Sequence, residues 1–334
     1  MAPRARPANK AQASDKTHQN KSNAVWICWD SATALQWNTW IEAVEQSTIE
    51  QTWAYGEAFV GVTPYVPVHG VIYRGRAVIG VVQVVEWRIA SILRVVKIVR
   101  GPLFLGTANR DEREIAYRLI RGRYSLMRLD LLMWTPELPD TPDARAVLRG
   151  LAFRQMITGY SSIWLDLRQN ESQLRARLNQ KWRNQLGLAE AAGLRIRLAH
   201  GGAALDWLLT RHEGHRRRRR LRAPAAPFVS AMSLAMRNKQ GTLAFTAYWG
   251  SERVAAILVF HHGKSATYYI AWTGPEGRRK HAHNLLLWHA LKELRKRGVH
   301  WFDLGGVDGL SMPGVSRFKM GLGGLLFTLV GTYM

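Results

Sequence analysis

The run HAHNLLLWHALKELRKRGVHWFDLGG, His281–Gly306, decides how this chain folds. Leu286, His289 or Ala290, and Leu294 recur at helical spacing, so its first part predicts an amphipathic helix. VHWFDLGG, Val299–Gly306, follows as a strand. Directly upstream, TLAFTAYWG (242–250), ERVAAILVFHHG (252–263) and KSATYYIAWTG (264–274) are rich in β-branched and aromatic residues and predict three more strands. A tight Gly-Ser turn joins the first two.

Working outward, SSIWLDL (161–167) reads as a strand, with Leu165 and Leu167 alternating against Asp166. NESQLRARLNQKWRNQLGLAEAAG (170–193) predicts one long helix closed by Gly193. LRIRLAH (194–200) alternates as a strand with one wet face, and ALDWLLTRHEGHRRRRRLRAP (204–224) starts as a helix and runs into an arginine block. The second half is thus β-α-β-α-β-β-β-α-β. The first half follows a looser version of that order, which suggests duplication. A helix with Ser31 as N-cap precedes strands at 63–75, 77–89 and 92–104; a helix over Arg110–Gly122, a strand at 124–134 and a short helix at 143–153 follow. The class is α/β (α+β), a mixed sheet with helices on its faces in each half.

The chain has 334 residues and 14 tryptophans, enough for about two domains with sizeable cores. Its formal charge is +23, and residues 1–24 contribute only five bases and one acid, so the excess belongs to the folded part. Such a field favours polyanions: RNA, anionic lipid head groups or phosphorylated carriers. The tail over 1–23 is polar and basic and is expected to be disordered. It has no apolar core of a secretory signal, and no uncharged apolar run is long enough to span a bilayer. Cys28 is the sole cysteine, which excludes an internal disulfide and a cysteine-based zinc cluster. These features predict a cytoplasmic protein that can touch a membrane surface.

Several families of chemistry are absent from the pattern. There is no Walker loop, no dinucleotide fingerprint and no Gly-x-Ser-x-Gly elbow. His281, His283 and His289 lie at spacings that do not converge on a metal, so none is expected. The run RHEGHRRRRRLR, Arg211–Arg222, is either a solvated basic face or a phosphate clamp, as is the stripe Arg175, Arg177, Lys181 and Arg183.

The element order resembles the GNAT acyltransferase fold. Acyl-CoA-dependent members carry Arg/Gln-x-x-Gly-x-Gly/Ala between strand and helix, where the glycines let pyrophosphate approach the helix N-terminus. Counting from Arg278, those glycine sites hold His281 and His283, which argues against acetyl-CoA as donor.

Four segments together resemble the Fem-type (FemAB) peptidoglycan-bridge aminoacyltransferases, which are built of two GNAT-like domains. They are EQTWAYGEAF (50–59), RVVKIVRGPLF (94–104), QKWRNQLGLAEAAGLRI (180–196), and the ending LLLWHALKELRKRGVHWFDLGG (285–306) with GVSRFKMGLGG (314–324). The resemblance covers about residues 45–334. It implies domain one over 24–160 plus 322–334, through a returning last strand in GLLFTLVGTY (324–333). Domain two then spans 161–321, with the transfer site near its C-terminal end.

The resemblance also implies the reaction: an amino acid passes from aminoacyl-tRNA to an amine of a peptidoglycan-precursor stem peptide, lipid- or nucleotide-linked. No cofactor is needed beyond the tRNA donor. Phe318 and Lys319 would sit at the transfer centre, Lys319 either steadying the carbonyl oxyanion or holding the terminal tRNA phosphate. Tyr269, chosen narrowly over Tyr268, Arg222, Arg183, Arg317 and Trp53 are the implied substrate contacts. The family's first-domain phosphate-binding lysine is missing from WAYGEAFVGV (53–62). The alternatives are an acyl-CoA-dependent GNAT N-acyltransferase and a non-catalytic module that docks to RNA or anionic lipid.

Overall fold

The computed structural model describes residues 24–90, 92–221, 223–236, 240–309 and 312–334. The basic tail over 1–23 and Arg222 lie outside the described residues. The first half runs β1 (Val25–Trp29), α1 (Ala34–Ala43), α2 (Trp53–Glu57), β2 (Val66–Arg74), β3 (Ala77–Ile89), β4 (Leu93–Val99), β5 (Leu103–Phe104), α3 (Arg110–Arg123), β6 (Asp130–Thr135), α4 (Pro142–Gly150) and β7 (Gln155–Ile157). The second half runs β8 (Ser161–Asp166), α5 (Glu171–Arg177), α6 (Gln180–Ala191), β9 (Arg195–Ala199), α7 (Ala203–Arg218), α8 (Ala226–Ala235), β10 (Thr242–Trp249), β11 (Glu252–His262) and β12 (Ser265–Thr273). It closes with α9 (Pro275–Arg279), α10 (Ala282–Lys296), β13 (Trp301–Gly306), α11 (Pro313–Met320), β14 (Leu325–Thr328) and β15 (Thr332–Tyr333).

The strands form two mixed, mostly antiparallel sheets. One has the order β1-β2-β3-β4-β6-β15-β7, with β5 against β3; the other is β14-β8-β13-β12-β11-β10-β9. Each contains a parallel pair reached through a crossover helix: β4 with β6 through α3, and β12 with β13 through α10. Both halves thus share an order of hairpins, crossover helix and parallel strand.

The returning strand is divided. Leu325–Thr328 stays in the second sheet against β8, and only Thr332–Tyr333 crosses to the first sheet between β6 and β7. The positive φ of Gly331 (119°) lies at that crossing.

Apolar faces explain the layering. On one face of the second sheet, Leu178, Trp182, Leu186, Leu286, Leu291 and Phe302 join α5, α6 and α10 to the strands. On its other face, Leu208, Met232 and Phe260 pack with Ile49, Ala54 and Ala58 of the first half, so the two halves share a core. A separate core under α3 and α4 holds Val84, Ile98, Tyr117 and Trp134. Each fully buried side chain of this kind contributes about 1.5–3 kcal/mol.

Local chemistry corrects three expectations. The long helix breaks at Leu178–Asn179, because the Asn179 side chain caps α6 at Trp182 N and its own N–H donates to Gly321 O. The first helix is capped by Thr33 in a capping box with Gln36, not by Ser31. The strand expected from Tyr124 starts only at Asp130. The Asp130 carboxylate takes the Ser125 N–H, Ser125 Oγ takes the Met127 N–H, and Leu126–Arg128 turns outward.

Candidate active site

The parallel pairing of β12 with β13 ends at Thr267 opposite Asp303. Beyond that point Tyr268 on β12 borders a cleft on the face covered by α6 and α10, while Gly305–Gly306 continue β13 beside it. Ordinary strand alternation sends Tyr268 and Tyr269 to opposite faces of the sheet, and a bulge at Tyr269, where Val259 faces Tyr268 and Leu258 faces Ile270, leaves Ile270 on the same face as Tyr269.

Helix α11 sets Lys319 beside Tyr268, next to this cleft. Its side chain is buried, at 8% exposure, and its Nζ donates to Gly306 O at 2.7 Å. The ammonium also stands 5.6 Å from the centroid of the Tyr268 ring. Burial pulls the Lys319 pKa down to about 8, with Asp303 pulling the other way. Phe318, the preceding residue, lies edge-on to His283 at 5.6 Å and packs on Trp182. The His283 ring is pinned between Tyr268 Oη (2.8 Å) and Thr273 Oγ1 (2.6 Å). Burial, reinforced by the Lys319 charge, drops its pKa to about 4, so the imidazole is neutral at pH 7.

The cleft has a volume of about 620 Å³; Tyr268, His283 and Phe318 line it, and its polar wall is His215, Arg218, Arg278 and Asn284. Helix α10 begins there without a side-chain cap, its N-cap His281 in the left-handed region at φ 50°. Asn284 is 3% exposed, and its Nδ2 has no partner among the described residues. A buried amide donor, a helix N-terminus and two guanidinium groups make this wall suited to anionic oxygen atoms. Burial and then the neighbouring Arg219, Arg218 and Arg278 keep His215 below its ordinary pKa.

A buried ion cluster ties this cleft to the first domain. Arg100, at φ 52°, forks onto Glu137 (Nε 2.8 Å, Nη2 2.9 Å) and sends Nη1 to Asp303 at 2.6 Å. Asp303 in turn accepts from Gly305 N at 2.8 Å and from Ser162 Oγ. The segment that offers its carbonyl to Lys319 is therefore anchored across the domain seam. Burial alone would lower the Arg100 pKa; Glu137, Asp303 and Glu50 hold it well above the usual arginine value. Burial pushes Glu50 up to about 7, against the pull of Arg100.

Of the residues expected at the site, Phe318 lines the cleft, whereas Lys319 does not line it and is buried beside Tyr268, which does. Tyr269 is not with them. Its ring packs on Phe260 on the opposite sheet face, and burial with Tyr55 and Glu50 nearby raises its pKa. Arg183 is exposed on α6, and Arg317 is exposed with its Nε on Pro313 O. Trp53 stacks on His69 at 3.9 Å and borders a separate cavity of about 500 Å³ shared with His261 and His262. Arg222 lies outside the described residues. The arginine block is the end of α7: Arg216 and Arg217 are held by Glu213, whereas Arg218 faces the cleft. Sequence reading missed Asn284, His215 and the link from Arg100 to Asp303. Strand alternation at Tyr268–Tyr269 was the one local sign that could have chosen between the tyrosines.

Residues 172–320 match the acetyltransferase (GNAT) domain family. No curated protein matches the chain. Among solved structures, FemX superposes with a TM-score of 0.76 at 13% identity, covering 92% of this chain and 96% of that one. The C-terminal domain (DUF2156) of a candidate lysylphosphatidylglycerol synthetase from Agrobacterium fabrum gives 0.54 at 11% identity, over 90% of both chains. A tandem GNAT protein from the clavulanic acid biosynthesis pathway gives 0.53 at 13% identity, over 93% and 98%. The chain has the tandem GNAT fold, the architecture of FemX, and the part of its second half over residues 172–320 is similar to the acetyltransferase (GNAT) domain. Among the described residues, no helix is long and apolar enough to cross a membrane.

Proposed function

We propose that the protein is a non-ribosomal aminoacyltransferase that moves an amino acid from an aminoacyl-tRNA to an amine of a peptidoglycan-precursor stem peptide. The observation that carries this reading is the cleft itself: a buried ammonium beside its Tyr268 side and a wall of arginine, histidine and one unpartnered amide donor along it. In such a transfer the amine nitrogen bonds to the ester carbonyl carbon, the bond to the ribose oxygen breaks, and the amine's proton ends on that oxygen. Negative charge gathers on the carbonyl oxygen in between, and a fixed cation in a site of low water content stabilises it. On this reading Lys319 does this, or holds the last phosphate of the tRNA. Arg218, Arg278 and Asn284 suit the phosphodiester chain of the donor. The likeness to FemX supports the same reading, as does a fold neighbour named for attaching lysine to phosphatidylglycerol. On this reading the protein works in the cytoplasm, where charged tRNA and precursor meet, and needs no cofactor.

A second reading, an acyl-CoA-dependent N-acyltransferase, is favoured by the acetyltransferase family match and by the uncapped start of α10 at the cleft. Against it, His281 and His283 carry side chains at the glycine positions, and the His283 ring is locked in place. Incubation with charged tRNA and precursor, beside calorimetric titration with acetyl-CoA, separates the two. The first reading expects tRNA-dependent amide and no heat from acetyl-CoA; binding of acetyl-CoA without any tRNA-dependent product would overturn it. tRNA affinity should fall linearly with salt on a log–log scale, and Arg278→Gln should lower that slope by about 1.

A further inference from the structure

The first domain carries an exposed apolar knuckle that the proposed reaction does not use. Met127 is 96% exposed, Leu126 62% and Ile92 68%, with Leu129 and Met156 exposed beside them. They belong to one surface. Arg94 N donates to Leu129 O, joining the β3–β4 turn to the α3–β6 turn, and Leu126 shares a cavity wall with Arg154 and Met156. Arginines ring it: Arg88, Arg128 and Arg154 are exposed. The carboxylates within this end of the sheet, Asp130 and Glu86, are buried and engaged by Arg94, Arg128 and Tyr124. The surface therefore presents aliphatic side chains at its apex and positive charge at its rim.

We propose that this knuckle docks the protein on an anionic lipid bilayer. Apolar side chains standing in solvent gain by entering the acyl boundary, and a rim of arginines is drawn to acidic head groups. RNA fits less well, because Leu126, Met127 and Ile92 offer neither donors nor rings for phosphates or bases. A second copy of the chain also fits less well, since a two-fold contact would press the arginine rim against itself.

The test uses the full chain and two vesicle compositions, phosphatidylcholine alone and phosphatidylcholine mixed with phosphatidylglycerol. Co-sedimentation is expected only with the mixed vesicles and should weaken with added salt. Leu126→Ser/Met127→Ser, which alters no charge, should raise the apparent Kd about tenfold or more, with an unchanged thermal midpoint. Arg128→Gln should weaken binding by a smaller factor. Two results would overturn the proposal. One is equal vesicle binding by the wild type and the serine double variant. The other is a wild-type dimer in sedimentation equilibrium that the double variant dissolves, which would assign the knuckle to self-association. Activity on a water-soluble acceptor should be the same in wild type and double variant, so loss of docking is read separately from loss of transfer.

Discussion

Replacing Lys319 by methionine distinguishes a catalytic lysine from a structural one, because the structure gives different expectations for rate and stability. Burial draws the Lys319 ammonium from an ordinary 10.5 to about 8. At about 1.4 kcal/mol per pKa unit, that is roughly 3 kcal/mol of folded-state cost at pH 7, which the uncharged methionine does not bear. The substitution also removes the 2.7 Å bond to Gly306 O, a loss of about 1–3 kcal/mol if the carbonyl stays unpaired. The two contributions nearly cancel, so the melting temperature should shift by no more than a few degrees. Turnover should not be spared: removing a preorganised oxyanion partner costs about 10²–10³ in kcat. Initial rates of amide formation at saturating charged tRNA, with thermal melting in parallel, give both numbers. A variant that keeps kcat within about threefold of wild type would refute the catalytic role, and so would one whose rate falls only because it melts. The pH dependence adds an independent sign. A lysine whose folded pKa is depressed leaves the unfolded state holding more protons between about 8 and 10.5, so wild-type stability gains with pH across that window. Its kcat should decline above about pH 8 as the cation discharges. Both trends should vanish in Lys319→Met.

Arg100→Met strips the guanidinium from Glu137 and Asp303, leaving buried carboxylates facing one another. It should cost about 3–5 kcal/mol, seen by calorimetry as a melting temperature lower by about 6 °C or more. Glu50 holds its proton in the folded state up to about pH 7, so its contribution to stability is complete below 4.5 and is lost as pH rises through 7. Glu50→Gln should flatten that part of the stability curve and melt later than wild type at pH 8. An unchanged curve would remove Glu50 from the buried cluster. Asn284→Leu removes a buried amide donor without a partner; it should leave the melting temperature unchanged and raise KM for the tRNA donor with kcat less affected. An unaltered KM would take that wall out of the donor site.

What could be read from the sequence followed periodicity. The hairpins of 242–274, the amphipathic α10 and the strand after it carry unmixed patterns, and the structure has them in that order. Where a side chain competes with the backbone, the pattern misleads. Asn179 ends one helix and starts another inside an apparently continuous stretch, and Ser125 with Asp130 turns half of an expected strand into an exposed loop. At the site, Phe318 and Lys319 were reached through resemblance to a family motif, not through periodicity. The polar wall was illegible because His215 and Arg218, Arg278, and Asn284 come from three separate helices. The resemblance points to Tyr269 where Tyr268 faces the cleft; alternation separates the two side chains, but which face carries the cleft follows from pairing and layering that sequence alone does not state.

The deepest illegible feature is also the one that makes two lobes into one site. Arg100 and Glu137 follow the parallel pair β4 and β6 of the first sheet, while Asp303 belongs to β13, the parallel partner of β12 in the second. The ends of the two parallel pairs thus meet at the seam, and charge joins them. Through Asp303 the first domain fixes Gly305, and through Gly306 it fixes the carbonyl that holds Lys319. Without the first domain, Asp303 would be a buried carboxylate lacking its arginine, a costly state that favours repacking of the very segment that places the lysine. The GNAT match over residues 172–320 therefore leaves out part of the charge cluster that anchors this segment. Phe318 and Lys319 fall inside it, and the guanidinium that holds their neighbouring strand in place falls outside.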